Sequence, residues 1–106
     1  MDRDITYRKD IVDAIEQIEN YTTNVSHEEF IKTPLVHDAV IRQLQIIGEA
    51  SKRLSMQFKT VISQAPWKKI AGTRDVLIHD YGTVDIEMVW KIVKDDLPKL
   101  KSALQK

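Results

Sequence analysis

Apolar residues recur at three- and four-residue intervals along almost the whole chain, and no stretch alternates with period two for long enough to be a strand. That regularity restricts the fold to helices packed on helices. Tyr7, Ile11, Ala14, Ile15, Ile18 and Tyr21 make one face of a first helix. Residues 20–24, Asn-Tyr-Thr-Thr-Asn, end it, because Thr and Asn side chains compete for backbone hydrogen bonds. Ser26, followed by Glu28 and Glu29, reads as a cap with acids in the first turn and opens a short helix to about Lys32. Thr33 caps the next helix and Pro34 takes its first position. This third helix is expected to reach about Phe58, with Val36, Val40, Leu44, Ile47 and Leu54 facing inward. Gly48 interrupts it at about 1 kcal/mol relative to Ala, which points to a close contact there.

Residues 60–65 carry a weaker pattern. Pro66 starts a fourth helix with Trp67, Ile70, Ala71, Leu77 and Ile78, and Gly82 is suited to end it in a left-handed conformation. Asp85 caps the last helix, whose stripe is Ile86, Val89, Trp90, Val93, Leu97, Leu100 and Leu104. Pro98 inside that stripe predicts a kink. The expected architecture is one all-α domain over residues 1–106, an antiparallel bundle of four long helices plus a short one.

Composition narrows the chemistry. With no cysteine, the chain has no disulfide, zinc-thiolate site, iron–sulfur cluster or cysteine nucleophile, which fits a cytoplasmic setting. Only 3 Gly and 3 Pro among 106 residues argue against a turn-rich β fold. No apolar run approaches the ~18 residues of a membrane span, and the polar start Met1-Asp2-Arg3-Asp4 lacks a signal-peptide core. Net charge is zero but unevenly spread. Residues 1–30 hold 3 basic and 8 acidic side chains, whereas residues 31–74 hold 8 basic and 2 acidic. The basic middle is able to form a local phosphate-binding face, although a solvated helix surface has the same composition.

The stretch richest in chemistry is residues 71–85, which places Arg74, Asp75, His79 and Tyr81 within eight residues near a helix end. At about 100° per residue, Asp75 and His79 share a face, and Arg74 and Tyr81 are nearly eclipsed. Arg74 and His79 are about 140° apart, yet a long arginine at a fraying end can reach the same groove. Histidine moves protons near neutrality, to or from a ribose hydroxyl. Arginine grips a phosphate in bidentate fashion and stabilises charge in the transition state. One histidine cannot readily serve as acid and base on opposite sides of phosphorus, so a two-fold dimer is expected to supply the second. Its interface is expected near or above about 1,000 Å², because a four-helix core should leave apolar stripe residues over. The alternatives are structural: Asp75 orienting His79 or pairing with Arg74, and Tyr81 as a core aromatic with a wet hydroxyl.

Arg74, four intervening residues, His79, one residue and Tyr81 resemble the Arg-x4-6-His-x-Tyr motif of HEPN-domain proteins, in particular the HepT-like toxins. Ile47-Gly48-Glu49-Ala50 with Lys52-Arg53-Leu54, Pro66-Trp67 and Tyr81-Gly82-Thr83-Val84-Asp85 are similar to that family as well, so the resemblance covers essentially the whole chain. One departure is Asp75, where the family usually has Asn. An acid there would repel RNA phosphate or favour the charged form of His79.

The resemblance implies a HEPN-like homodimer acting as a metal-independent endoribonuclease, the toxin of a toxin–antitoxin pair. Arg74 and His79 would be its catalytic residues. It also implies a partner, a minimal nucleotidyltransferase that adds AMP to the motif tyrosine, here Tyr81, planting negative charge two residues from His79. The rival is a non-catalytic helical dimer that serves as adaptor for such a nucleotidyltransferase. No cofactor is expected, for want of a Gly-rich phosphate loop. No metal is expected either: His27 and His37 do not pair, and Asp75 with His79 gives only two ligands. Lys68 and Lys69 are the candidate extra phosphate contacts. Glu49 is able to face the groove, and Trp67 and Trp90 are expected as core or interface anchors.

Overall fold

Each long stripe becomes a helix in the computed structural model, which describes residues 3–79 and 85–105, with the backbone alone for residues 74–79. The elements are α1 (Arg3–Thr22), α2 (His27–Lys32), α3 (Pro34–Arg53), α4 (Met56–Val61), α5 (Trp67–His79), α6 (Ile86–Lys91) and α7 (Leu97–Leu104). A π-helical turn, Ile92–Asp96, joins α6 to α7 in one rod. The four long members are α1, α3, α5 and that rod, and no strand occurs among the described residues.

Residue chemistry sets the boundaries. Thr22 returns its hydroxyl to the Ile18 carbonyl at 2.8 Å, and Asn24 takes the left-handed conformation, φ 60°, that turns the chain. Ser26 and Glu29 form a reciprocal capping box at the start of α2. Thr33 precedes α3 as expected, but it caps through its backbone: its carbonyl accepts from Val36 and His37, and its side chain makes no cap bond.

The third helix is shorter than its apolar pattern implied. It ends at Arg53, Leu54 turns extended with ψ 144°, and Ser55 caps a separate α4 by accepting from the Phe58 N–H at 3.0 Å. A serine that can cap competes with continued helix, and that local bond outweighs the stripe. Pro98 acts upstream of itself. It has no N–H to give, and the rod widens before it, with the Leu97 N–H reaching back five residues to the Ile92 carbonyl.

The core runs between α1, α3, α5 and the rod. Ile11, Ile15 and Ile18 of α1 are buried with Val40, Leu44 and Ile47 of α3, Ile70 of α5, and Val89, Leu100 and Leu104 of the rod. Each such side chain contributes about 1.5–3 kcal/mol on leaving water. Gly48 is buried on α3, within the helix that packs most extensively against α1. Val89, Val93, Leu97, Leu100 and Leu104 of the last stripe are buried within one chain, Ile86 and Trp90 only in part, and exposed apolar side chains lie at Ile5, Leu35, Met56, Val61 and Met88. None of the described helices is long and apolar enough to cross a membrane.

Candidate active site

The motif stretch is carried on α5, whose first two turns are held from several sides. The Trp67 indole N–H donates to the Ile62 carbonyl at 2.9 Å, and its ring stands edge-on to Phe58. Ile70 is buried in the core. Thr73 is also buried, its hydroxyl donating to the Lys69 carbonyl at 2.9 Å. Positions 67, 70 and 73 recur at three-residue steps, so they seat one face of α5 against the body of the protein. From this anchored base the backbone continues as helix through His79. Arg74, Asp75 and His79 therefore share one helix, and Arg74 and His79 are separated by a rise of about 7.5 Å. The side chains of Arg74, Asp75 and His79 lie outside the described residues, as do Tyr81 and Gly82 entirely.

Lys68 and Lys69 are exposed in the first turn of α5. The Lys69 ammonium lies 3.9 Å from the Asp96 carboxylate of the π turn, tying α5 to the rod. Lys69 and His79 are ten residues apart, about 15 Å along the axis, so the lysines stand at the opposite end of α5 from His79.

Both tryptophans are anchors. Trp90 has His27 and Phe30 at ring distances of 5.3 and 5.1 Å, and the Lys94 ammonium lies 4.6 Å from its ring centre. Those neighbours occupy the ring, so Trp90 fastens α2 to α6 rather than offering a platform for a base. The His27 Nε2–Glu87 contact at 2.8 Å reinforces the same junction. Among the described residues, no group of three His, Cys, Asp or Glu side chains is placed to hold a metal ion.

A second feature was not legible in the pattern. Tyr7, an apolar-stripe position by spacing, lines a groove of about 410 Å³ between α1 and α3 together with Asp10, Arg42, Glu49 and Arg53. A hydrogen bond from Arg53 holds the Tyr7 phenol below its usual range, and Arg3 adds to the effect. Glu49 faces this groove, 3.7 Å from Arg53. Sequence spacing also missed a second groove, between Lys69 of α5 and the lysines of the rod; the lysines at 91, 94 and 99 were its available signal.

Comparison with known proteins gives these observations a frame. The family profile described as "Ribonuclease HepT-like" matches residues 11–106. A protein of Thermococcus cleftensis named "Probable ribonuclease HepT" is 45% identical over 94% of this chain and 91% of its own length. A Methanocaldococcus jannaschii protein named "Putative RNase MJ1380" is 38% identical over 91% of this chain and 88% of its own. Another from that organism, "Gamma-glutamylcyclotransferase and putative RNase MJ0434", is 43% identical over 94% of this chain, which spans only 45% of that longer protein. No solved structure matches the chain.

Proposed function

The chain belongs to the HepT-like ribonuclease family, and from that premise we propose that it is a metal-independent endoribonuclease, the toxin of a toxin–antitoxin pair. The observation that carries the reading is the helix from Trp67 to His79, whose backbone includes both Arg74 and His79 at the motif's spacing. Arg74 grips the scissile phosphate and stabilises the charge that builds on its oxygens. His79 takes the proton from the ribose 2′-hydroxyl, whose oxygen attacks phosphorus; a second His79, from the other copy in a homodimer, protonates the leaving 5′-oxygen. The products of that step are a 2′,3′-cyclic phosphate and a free 5′-hydroxyl, with no atom drawn from a metal or cofactor.

Tyr81 is the regulatory position in this reading. AMP added to its hydroxyl by a minimal nucleotidyltransferase brings a phosphate beside Arg74, which then holds the adduct instead of RNA. The pair thus consists of a homodimer of this chain, acting on RNA, and the modifying antitoxin.

The test is cleavage of RNA by the purified chain with EDTA present, alongside His79→Ala. Cleavage that survives EDTA and disappears in a folded His79→Ala protein is the expected result. Full activity in His79→Ala would end the catalytic assignment. A wild-type protein that neither cleaves RNA nor slows growth when expressed alone would favour a non-catalytic adaptor, for which Asp75 in place of Asn is the motivating feature.

A further inference from the structure

We propose that the groove between α5 and the α6–α7 rod is a track for the phosphate backbone of a single RNA strand, an inference that rests on the ribonuclease reading above. The groove has a volume of about 520 Å³. Lys69 forms part of one wall, from the helix that carries Arg74 and His79, and Lys91 and Lys99 come from the rod. Met88, 41% exposed, adds an apolar contact at one end. From Met88 to Lys99 the rod advances by about 16 Å, longer than one phosphate needs. The α5 wall of the groove belongs to the same helix as Arg74 and His79.

Charge pairing decides which lysines are available. The Asp96 carboxylate is only 13% exposed and sits 3.9 Å from Lys69, so that pair braces the two walls. Lys94 is drawn over the Trp90 ring. None of the ion pairs among the described residues uses Lys91 or Lys99, and both ammonium groups are exposed. Asp95 is the remaining carboxylate in the groove, against those two cations. A groove lined by four lysines and two aspartates suits a repeating anion, because each lysine that neutralises a phosphate releases a counterion condensed on the RNA. It suits a single small anion less well, since no side chain here is pre-paired into a closed pocket.

The measurement is fluorescence anisotropy with a labelled 2′-O-methyl RNA strand, which lacks the attacking hydroxyl and so stays intact, over a range of salt. Lys91→Gln/Lys99→Gln should raise the Kd roughly tenfold and flatten the slope of log K against log salt by about 1.4, at about 0.7 per lost phosphate contact. Lys9→Gln/Lys32→Gln removes the same charge from two exposed lysines that pair with Asp13 and Glu28, and should leave the slope unchanged. An unaltered Kd and slope in the first double variant, or an equal loss in both, would overturn the track while leaving the ribonuclease reading standing if the wild type still cleaves RNA. A wild type that neither binds the strand nor cleaves RNA would overturn both.

Discussion

Asp4 and Ser55, 51 residues apart, are joined twice: the Ser55 backbone N–H donates to one carboxylate oxygen at 2.8 Å and the Ser55 hydroxyl to the other at 2.6 Å. The same hydroxyl accepts from Phe58 at 3.0 Å, so one side chain caps α4 and ties it to the start of α1. The junction also fixes direction, since it sets the beginning of α1 beside the end of α3 and makes those two helices antiparallel.

Ser55→Ala should therefore lower stability by about 1 kcal/mol, the usual worth of a lost N-cap. The change is read from the urea midpoint, with faster amide exchange at Phe58 as the local sign. The Asp4 carboxyl is held below its ordinary 3.8 by the two Ser55 hydrogen bonds. A depressed folded value means that the stabilisation is complete above 3.8 and is lost as pH falls through the folded value. The stability gap between wild type and Asp4→Asn should accordingly be widest near neutral pH and close in acid. A gap that grew on acidification would contradict the assignment.

Gly72 sits within α5, where an added Cβ would meet nothing within 4 Å. Gly72→Ala should raise stability by about 0.5–1 kcal/mol through helix propensity alone. Thermal unfolding supplies the number. Loss of the proposed dimer in sedimentation, in place of a gain, would locate a second copy against this position.

Arg74→Ala should reduce cleavage by roughly a hundredfold or more, equivalent to about 3 kcal/mol of transition-state stabilisation. A variant that kept its rate at saturating RNA but needed more substrate would mark Arg74 as a binding residue only. Single-turnover kinetics separate the two outcomes.

Tyr81→Phe should fold and escape neutralisation by a nucleotidyltransferase partner, whereas Arg74→Ala should lose cleavage and remain modifiable. Intact-mass spectrometry after incubation with the partner and ATP checks both. A mass increase in AMP units on wild type, absent from Tyr81→Phe, is the expected pattern. Equal labelling of Tyr81→Phe would leave Tyr81 as a structural aromatic.

The apolar period determined most of the architecture. Ile11, Ile15 and Ile18, and then Val89, Leu97, Leu100 and Leu104, are buried as their three- and four-residue spacing requires, because a helix repeats its face on that period whatever it packs against. Ser26 and Asp85 likewise specify their caps within three residues. The Arg74–His79–Tyr81 spacing was legible too, and with it the family, since the motif is a local string. What depended on distant partners was not. The local cap that splits the helix at Leu54–Ser55 is held in place by Asp4, which lies at the other end of the pattern. Tyr7 reads as a stripe residue until Arg53 of a different helix meets its hydroxyl. Lys69 reads as a solvated lysine near the motif until the rod brings Asp96 to it, with Lys91 and Lys99 along the same groove. Periodicity records which face of a helix is apolar; which charged group stands across from it is settled only when two helices, remote in sequence, are laid side by side.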